Sequence, residues 1–451
     1  MSTDLRRRTF LKILGAGAAG AIASRPLMQA LADNPDNSRE FFILIHQSGG
    51  WDVTLWGDPR NERKGLVEPA STDNVVTTGV TNWVDQALDA DTKTFQLVQR
   101  GGRAYGPAMG SLVEMFDRFQ IINGISMNTV SHPDGTYYSA TGRHLAGGRP
   151  VATSIDTVLG NELGLNELLP IVSVNFPSTF LGRGLDRRAM PLRVADITAV
   201  AKSITRSALY DQVADRDGVT ALLTNEAASL AQDAWDPSVP QGMGLQYQAL
   251  QKMLGDNVRN LFDATKLKAG HPGYNYVGAF QRNQVINAAF AVDAIKARLT
   301  RCVSWSMSSC DTHNTNYRNH PLILQETFEM LSNLIKELDN SYFDDAPTVR
   351  LSDHVHILVI SEFCRTPQIN LSQGRDHYPN NSALVISPKF KGNFRYGSSD
   401  PDQLLPMPSG TFSDGVRPIT PPDVLASFVG AFGIDPLKYL RDGQVVKELL
   451  K

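Results

Sequence analysis

The chain has 451 residues with 43 basic and 46 acidic side chains, a formal charge of −3, and so lacks the positive excess that grips a phosphate backbone; nucleic-acid binding is set aside. Cys302, Cys310 and Cys364 are too few and too irregularly spaced for a disulfide framework, so buried thiols are expected, with one bridge from Cys310 to Cys302 or Cys364 as the alternative. The length would hold two or three average domains, yet no linker divides it, and a single large domain is expected over residues 33–451.

The N-terminus reads as an export leader. Arg6-Arg7-Arg8-Thr9-Phe10-Leu11-Lys12 precedes a weakly apolar Ala/Gly stretch from Ile13 to Ala23, and Ala30-Leu31-Ala32 offers a small-residue cleavage site. The apolar stretch falls short of the roughly 20 residues a spanning helix needs, so a twin-arginine signal over residues 1–32 is expected, with retention as an uncleaved anchor as the alternative. Its removal leaves 38 basic and 45 acidic side chains, a formal charge of −7. The expected location is the periplasm or outside the cell, the expected first partner is the twin-arginine translocation machinery, and no later segment is long and apolar enough to span a bilayer.

Along the remaining chain, short apolar runs alternate with helical patterns, the signature of βαβ units and a mainly parallel sheet. Strands are predicted at Phe41–His46, Phe119–Ile125, Ile171–Val174, Cys302–Met307, Val355–Ile360 and Ala383–Ile386. Between Thr198 and Arg301 the apolar spacing turns helical, as in Leu245–Thr265 and Asn283–Leu299, which predicts a helical insertion. Residues 390–420 read as a long loop, and Pro421–Phe432 and Leu437–Leu450 as closing helices.

Chemistry-bearing residues follow these strands. Ser48-Gly49-Gly50-Trp51-Asp52 leaves the first strand on two glycines and puts a carboxylate at the sheet's edge, where open α/β sheets bind ligands. Ser131-His132-Pro133-Asp134-Gly135-Thr136 follows the second; His132 is a candidate metal ligand, Ser131 or Thr136 a candidate nucleophile, and a plain helix cap by Ser131 and Asp134 is the competing reading. Asp311-Thr312-His313 follows the fourth, pairing carboxylate and imidazole in a way that suits Zn²⁺, Mn²⁺ or Fe²⁺ better than an all-oxygen Ca²⁺ cage. After the fifth come Glu362 and Arg365, the latter a candidate for binding an anionic oxygen or for pairing with Glu362. Gly374-Arg375-Asp376-His377 sets a further carboxylate beside an imidazole, one to ligate and one to orient. His320, His354 and His356 are read as structural, with His320 at the surface or in a cap.

Taken together, Gly49-Gly50-Trp51-Asp52, Ser131-His132, Asp311-Thr312-His313, Ser361-Glu362-Phe363-Cys364-Arg365-Thr366-Pro367 and Gly374-Arg375-Asp376-His377-Tyr378 resemble the domain-of-unknown-function family 1501, exported proteins grouped with the alkaline phosphatase and sulfatase superfamily. The resemblance runs from about Arg39 to Leu440. It implies a three-layer α/β/α sandwich, alkaline phosphatase-like, with a metal site at the carboxyl edge of the sheet. It also implies that Asp52, Asp311, His313, Glu362, Asp376 and His377 hold the metal, zinc first, with manganese, magnesium or calcium as alternatives. His132 falls where the superfamily keeps its nucleophile, and the sulfatase Cys-x-Pro-x-Arg signature is absent. The function this implies is an exported metal-dependent hydrolase of phosphate or sulfate esters, with Ser131, His132 and Arg365 as catalytic candidates; the alternative is a non-catalytic metal-binding protein whose partner is a glycan or another envelope component.

Overall fold

The computed structural model describes residues 39–60, 64–67, 97–182, 184–204, 256–274, 281 and 283–451. The expected leader and most of the expected helix from Leu245 to Thr265 lie outside them. The described chain is an α/β structure organised on one mixed sheet of eight strands: β1 (Phe41–Gln47), β2 (Phe119–Ile122), β3 (Ile171–Val174), β4 (Leu192–Val194), β5 (Cys302–Met307), β6 (Val355–Ser361), β7 (Ala383–Ile386) and β8 (Phe394–Tyr396). Their spatial order is β8-β2-β7-β6-β1-β5-β3-β4. Only β7 runs against the rest, pairing antiparallel with β6 and β2 while the other pairs are parallel.

The central strands are apolar throughout because both faces are covered. In β1, Phe41, Ile43 and Ile45 join one buried cluster and Phe42 and Leu44 the other, the alternation a pleated strand imposes. The first face is covered by α6 (Ile286–Lys296) and α7 (Asn316–Asn340), the second by α1 (His132–Thr141), α2 (Ile155–Leu163) and α8 (Pro421–Gly430). The described part of the segment between β4 and β5 is helical, comprising α3 (Ile197–Ile204), α4 (Asp256–Leu261), α5 (Ala264–Gly270) and α6. α4 and α5 are separate helices because the Asp263 carboxylate caps α5, accepting from Thr265 N and Lys266 N.

All six predicted strands form, two of them one residue longer and β2 three residues shorter. β2 stops early because Gly124 turns the chain at φ 65°. Two short edge elements lay below the resolution of sequence pattern: β4 is three residues, and the expected loop 390–420 contains β8 and a hairpin of Gly410–Phe412 with Gly415–Arg417. The expected closing helix Leu437–Leu450 is instead two 3₁₀ turns, Pro436–Lys438 and Lys447–Leu449. Gly443 between them lies against the Pro422 carbonyl at the start of α8, a contact a continuing helix with side chains could not make. The three cysteines are free, buried thiols.

One ionic knot ties the helices of the first face. His271, just past α5, sets Nε2 3.0 Å from Asp293 Oδ2 of α6, and its Nδ1 meets Glu337 of α7. Burial opposes the charge, yet the two carboxylate hydrogen bonds prevail and push its pKa up to about 9. A raised pKa contributes stability that is complete below the unfolded value near 6.5 and lost as pH passes 9. Chemical denaturation should therefore show wild type more stable than His271→Asn, on the order of 2 kcal/mol at pH 6, with the difference closing by pH 9.5; a difference independent of pH would show that His271 is not charged in the fold.

Candidate metal centre

The carboxyl ends of β1, β5 and β6 lie side by side, and each releases one loop toward the same edge. After β1 the chain turns on Gly49 and Gly50, at φ 95° and 73°, a conformation other residues enter only at a cost. A Cβ on Gly49 would collide with the Cys310 backbone and Ser309 Oγ, so this turn packs directly on the loop that follows β5. Its N–H donates to Glu362 Oε1 at 2.6 Å.

Glu362 is almost wholly buried at the end of β6. Beyond Gly49 N–H, its Oε1 lies 2.9 Å from His132 Nδ1, while Oε2 accepts from Ser361 Oγ at 3.0 Å and lies 3.3 Å from His46 Nε2. Burial alone would raise the Glu362 pKa; the bonds to His132 and Gly49 and the His46 ring hold it below the usual range. α1 starts at His132 and passes so close to Glu362 that a Cβ on Gly135 would sit 2.5 Å from the Glu362 carbonyl oxygen. Gly135 thus sets the distance at which His132 reaches its carboxylate.

Three imidazoles and one carboxylate converge here. Asp311 Oδ1 lies 3.1 Å from His313 Nε2, 3.4 Å from His132 Nε2 and 3.7 Å from His377 Nε2, and the His313 and His377 Nε2 atoms are 2.9 Å apart. Each ring is anchored through its other nitrogen: His132 Nδ1 on Glu362, His313 Nδ1 on Asp376 Oδ1 at 2.7 Å, and His377 Nδ1 on the Val130 carbonyl at 2.8 Å. Carboxylates and carbonyls only accept, so each Nδ1 carries a proton, and in its neutral form each ring aims an Nε2 lone pair at the common point. The Arg365 guanidinium anchors the fourth donor, Nη2 to Asp311 Oδ1 at 2.6 Å. Two nitrogen lone pairs 2.9 Å apart repel unless a proton or cation lies between them.

The donor set fits a divalent cation. Three imidazole nitrogens and one carboxylate oxygen are borderline ligands suited to zinc more than to magnesium or calcium, which favour oxygen. A tetrahedron with bonds of about 2.0 to 2.1 Å has edges of roughly 3.3 Å, close to the separations found. His132, Asp311, His313 and His377 form the one group of potential metal ligands of this kind among the described residues, their donor atoms all within 4.8 Å of one another. Side-chain exposures of 41% for Asp311 and 45% for His313 leave the group open to solvent on one side.

The remaining expected site residues take other places. Glu362 and Asp376 stand behind His132 and His313 and orient them. Asp52 is fully buried away from the group; its Oδ1 accepts from Thr54 N and Oγ1, and its Oδ2 from Asn316 Nδ2 at 3.0 Å, with Arg375 Nε 3.4 Å away. Arg365, expected to be open to an anion or paired with Glu362, is wholly buried and spends its donors on the carbonyls of Gly49, Gly50 and Arg375 and on Asp311. It is a clamp between loops rather than an anion receptor. Ser131 stands at the exposed start of α1 with no side-chain cap, and both ring nitrogens of His132 face carboxylates, so no serine–histidine pair forms. Asp134 bonds His144 Nδ1 and Leu145 N instead of capping a helix at Thr136.

His320 belongs to the support as well, not to the surface. It is fully buried; its Nε2 accepts from Asp52 N–H at 2.7 Å and its Nδ1 meets Thr312 Oγ1 at 2.8 Å. Thr312 in turn donates to Asn316 Oδ1, and Asn316 to Asp52, closing a ring around the base of the 311–313 loop. Burial drives the His320 pKa down to about 3, so it stays neutral and serves as a fixed acceptor. Nothing in its sequence neighbourhood signals that role.

The chain matches, over residues 39–444, the family described as "Protein of unknown function (DUF1501)", and it belongs to that family. No curated protein matches it. A solved structure with a likeness to it is "Crystal structure of Ps i-CgsB in complex with k-i-k-neocarrahexaose", at 10% identity and a TM-score of 0.35, covering 90% of this chain and 75% of that one. At that score the likeness decides neither fold family nor function.

Two outcomes follow from the geometry. Asp376→Ala, a change at an exposed carboxylate, should weaken zinc binding about 10- to 100-fold by competition with a chromophoric chelator, and an unchanged affinity would refute the orientation of His313 by Asp376. Gly135→Ala should lower stability by about 1–3 kcal/mol through overpacking against Glu362, read from denaturant midpoints, whereas a neutral effect would mean that α1 can shift without loss.

Proposed function

We propose that this protein is an exported metal-dependent hydrolase of phosphate or sulfate esters, distantly related to the alkaline phosphatases and sulfatases. The observation that supports it is the solvent-facing set of His132, Asp311, His313 and His377 at the carboxyl edge of a largely parallel sheet, where α/β folds place ligand sites. A divalent cation bound there supplies Lewis acidity toward an ester oxygen and lowers the pKa of water. The chain's own residues supply position: Glu362, Asp376 and the Val130 carbonyl hold three rings in one tautomer, and Arg365 holds Asp311 ionised and in place. Burial works against the charge on Asp311, but the Arg365 bond lowers its pKa below the usual value. With the export leader expected at residues 1–32, the reaction would take place in the periplasm or outside the cell, after metal loading in the folded protein.

A second reading draws on the number of donors. Four protein ligands close the tetrahedron in structural zinc sites, whereas catalytic sites keep one position open. A non-catalytic metal-binding protein that docks an envelope glycan would have such a closed site. The two readings separate in one experiment on natively exported protein. Elemental analysis should find near-stoichiometric zinc or manganese in wild type and none in Asp311→Ala/His377→Ala, and 4-nitrophenyl phosphate or sulfate should be turned over at least 1,000-fold faster than by the variant, about 4 kcal/mol of barrier. Bound metal with no turnover of either ester would establish the second reading, and no bound metal after reloading would end both.

A further inference from the structure

Beside the metal-ligand group, at the carboxyl ends of β3 and β4, lies an open cleft of about 470 Å³ lined by Thr136, Tyr137, Ser173, Asn175, Phe176 and Arg193 among others. It adjoins the group through α1: His132 and Thr136 are four residues apart on that helix and so share a face. It is joined to β5 as well, since Ser306 Oγ donates to the Asn175 carbonyl at 2.9 Å.

The polar groups of the cleft have fixed directions. Asp156, fully buried behind it, accepts from Ser154 Oγ at 2.5 Å, Thr157 N at 2.8 Å and Ser304 Oγ at 2.9 Å, and from Ser178 Oγ. Because Ser178 gives its proton to Asp156, the 2.7 Å contact between Ser178 and Ser173 requires Ser173 to be the donor. Ser173 therefore turns only lone pairs toward the cleft, and its unspent capacity is to accept. Asn175 is biased the same way, since its Nδ2 donates to the Ala195 carbonyl at 2.9 Å. Arg193 is exposed on the rim, and among the described residues its guanidinium has no carboxylate or hydrogen-bonding partner. Tyr137 and Phe176 add aromatic walls.

Two acceptors, an uncommitted guanidinium and aromatic walls complement a ligand that donates hydroxyl protons, carries an anionic group and has a ring to lay on an aromatic face. We propose that this cleft is the specificity subsite for a sugar phosphate or sugar sulfate, with the hydroxyls given to Ser173 and Asn175 and an uncleaved anionic group held by Arg193. The inference rests on the hydrolase reading only in taking the occupant to be part of the substrate.

Titration calorimetry with glucose 6-phosphate, glucose 6-sulfate and glucose on the full chain stripped of metal by a chelator, so that no ester is cleaved and no anion binds a cation, tests it. The anionic sugars should bind about tenfold or more tighter than glucose, and Arg193→Ala should abolish that difference, with Arg193→Lys restoring part of it. Ser173→Ala should weaken all three sugars by about fivefold, one neutral hydrogen bond's worth. The ratio of phosphate to sulfate affinity in wild type says which ester the subsite takes. Unchanged affinities in Arg193→Ala, no binding of any sugar at millimolar concentration, or tighter binding of a nucleoside monophosphate would overturn the proposal. Turnover of 4-nitrophenyl phosphate, which lacks a sugar, separates the two ideas. Metal-dependent turnover without the Arg193 effect sinks the subsite alone, and the Arg193 effect without any ester turnover sinks the hydrolase alone.

Discussion

The buried carboxylate of Glu362 is the constraint around which the rest of the site is arranged. An ionised carboxyl removed from water is tolerable only if every lone pair finds a donor, and Glu362 meets Gly49 N–H, Ser361 Oγ, His132 and, close by, His46. Those partners come from the end of β1, the end of β6 and the start of α1. Satisfying one charge thus fixes the mutual position of three segments and places His132, 230 residues earlier in the chain, opposite Asp311.

The same economy runs through the outer supports. Arg365 is fully buried, where an unpaired guanidinium would be costly, and its bonds to the Gly49, Gly50 and Arg375 carbonyls lock the first turn to the last loop while holding Asp311. The ring of Asp52, His320, Thr312 and Asn316 does the equivalent work beneath the 311–313 loop, using a histidine that burial keeps neutral. Donor atoms can be held this close against their own repulsion because the cost is met by packed, fully bonded polar networks below them. Preorganisation of this kind would let a cation bind without first ordering its ligands.

Much of this was legible in the chain. Strands such as Phe41–Gln47 and Val355–Ser361 are unbroken apolar runs, and a run of that kind has one stable use, as a strand buried on both faces. Asp311, His313 and His377 stood out because acids and imidazoles after such strands have few structural reasons to be there. What could not be read was the division of labour. Glu362 and Asp376 carry the same carboxyl as Asp311, and only the path of each loop decides which one faces the cluster and which one stands behind a ring. Asp52, just past β1 at the same edge of the sheet, is drawn inward by Arg375 and Asn316. Short elements such as β4 and β8 were missed because three residues contain too little periodicity, and Leu437–Leu450 misled because its apolar spacing is helical while Gly443 is held against α8.

By itself, then, the sequence determined the α/β architecture, the central strands and the loops that bear acids and histidines, because these depend on local hydrophobic period and on residue type. Tertiary structure alone decided that His132, Asp311, His313 and His377 converge, that Arg365 is a buried clamp, and that Ser173 faces its cleft as an acceptor. Those facts depend on hydrogen-bond directions between residues whose separation runs from 5 positions, for Ser173 and Ser178, to 316, for Arg365 and Gly49, and such directions exist only once the chain has closed on itself.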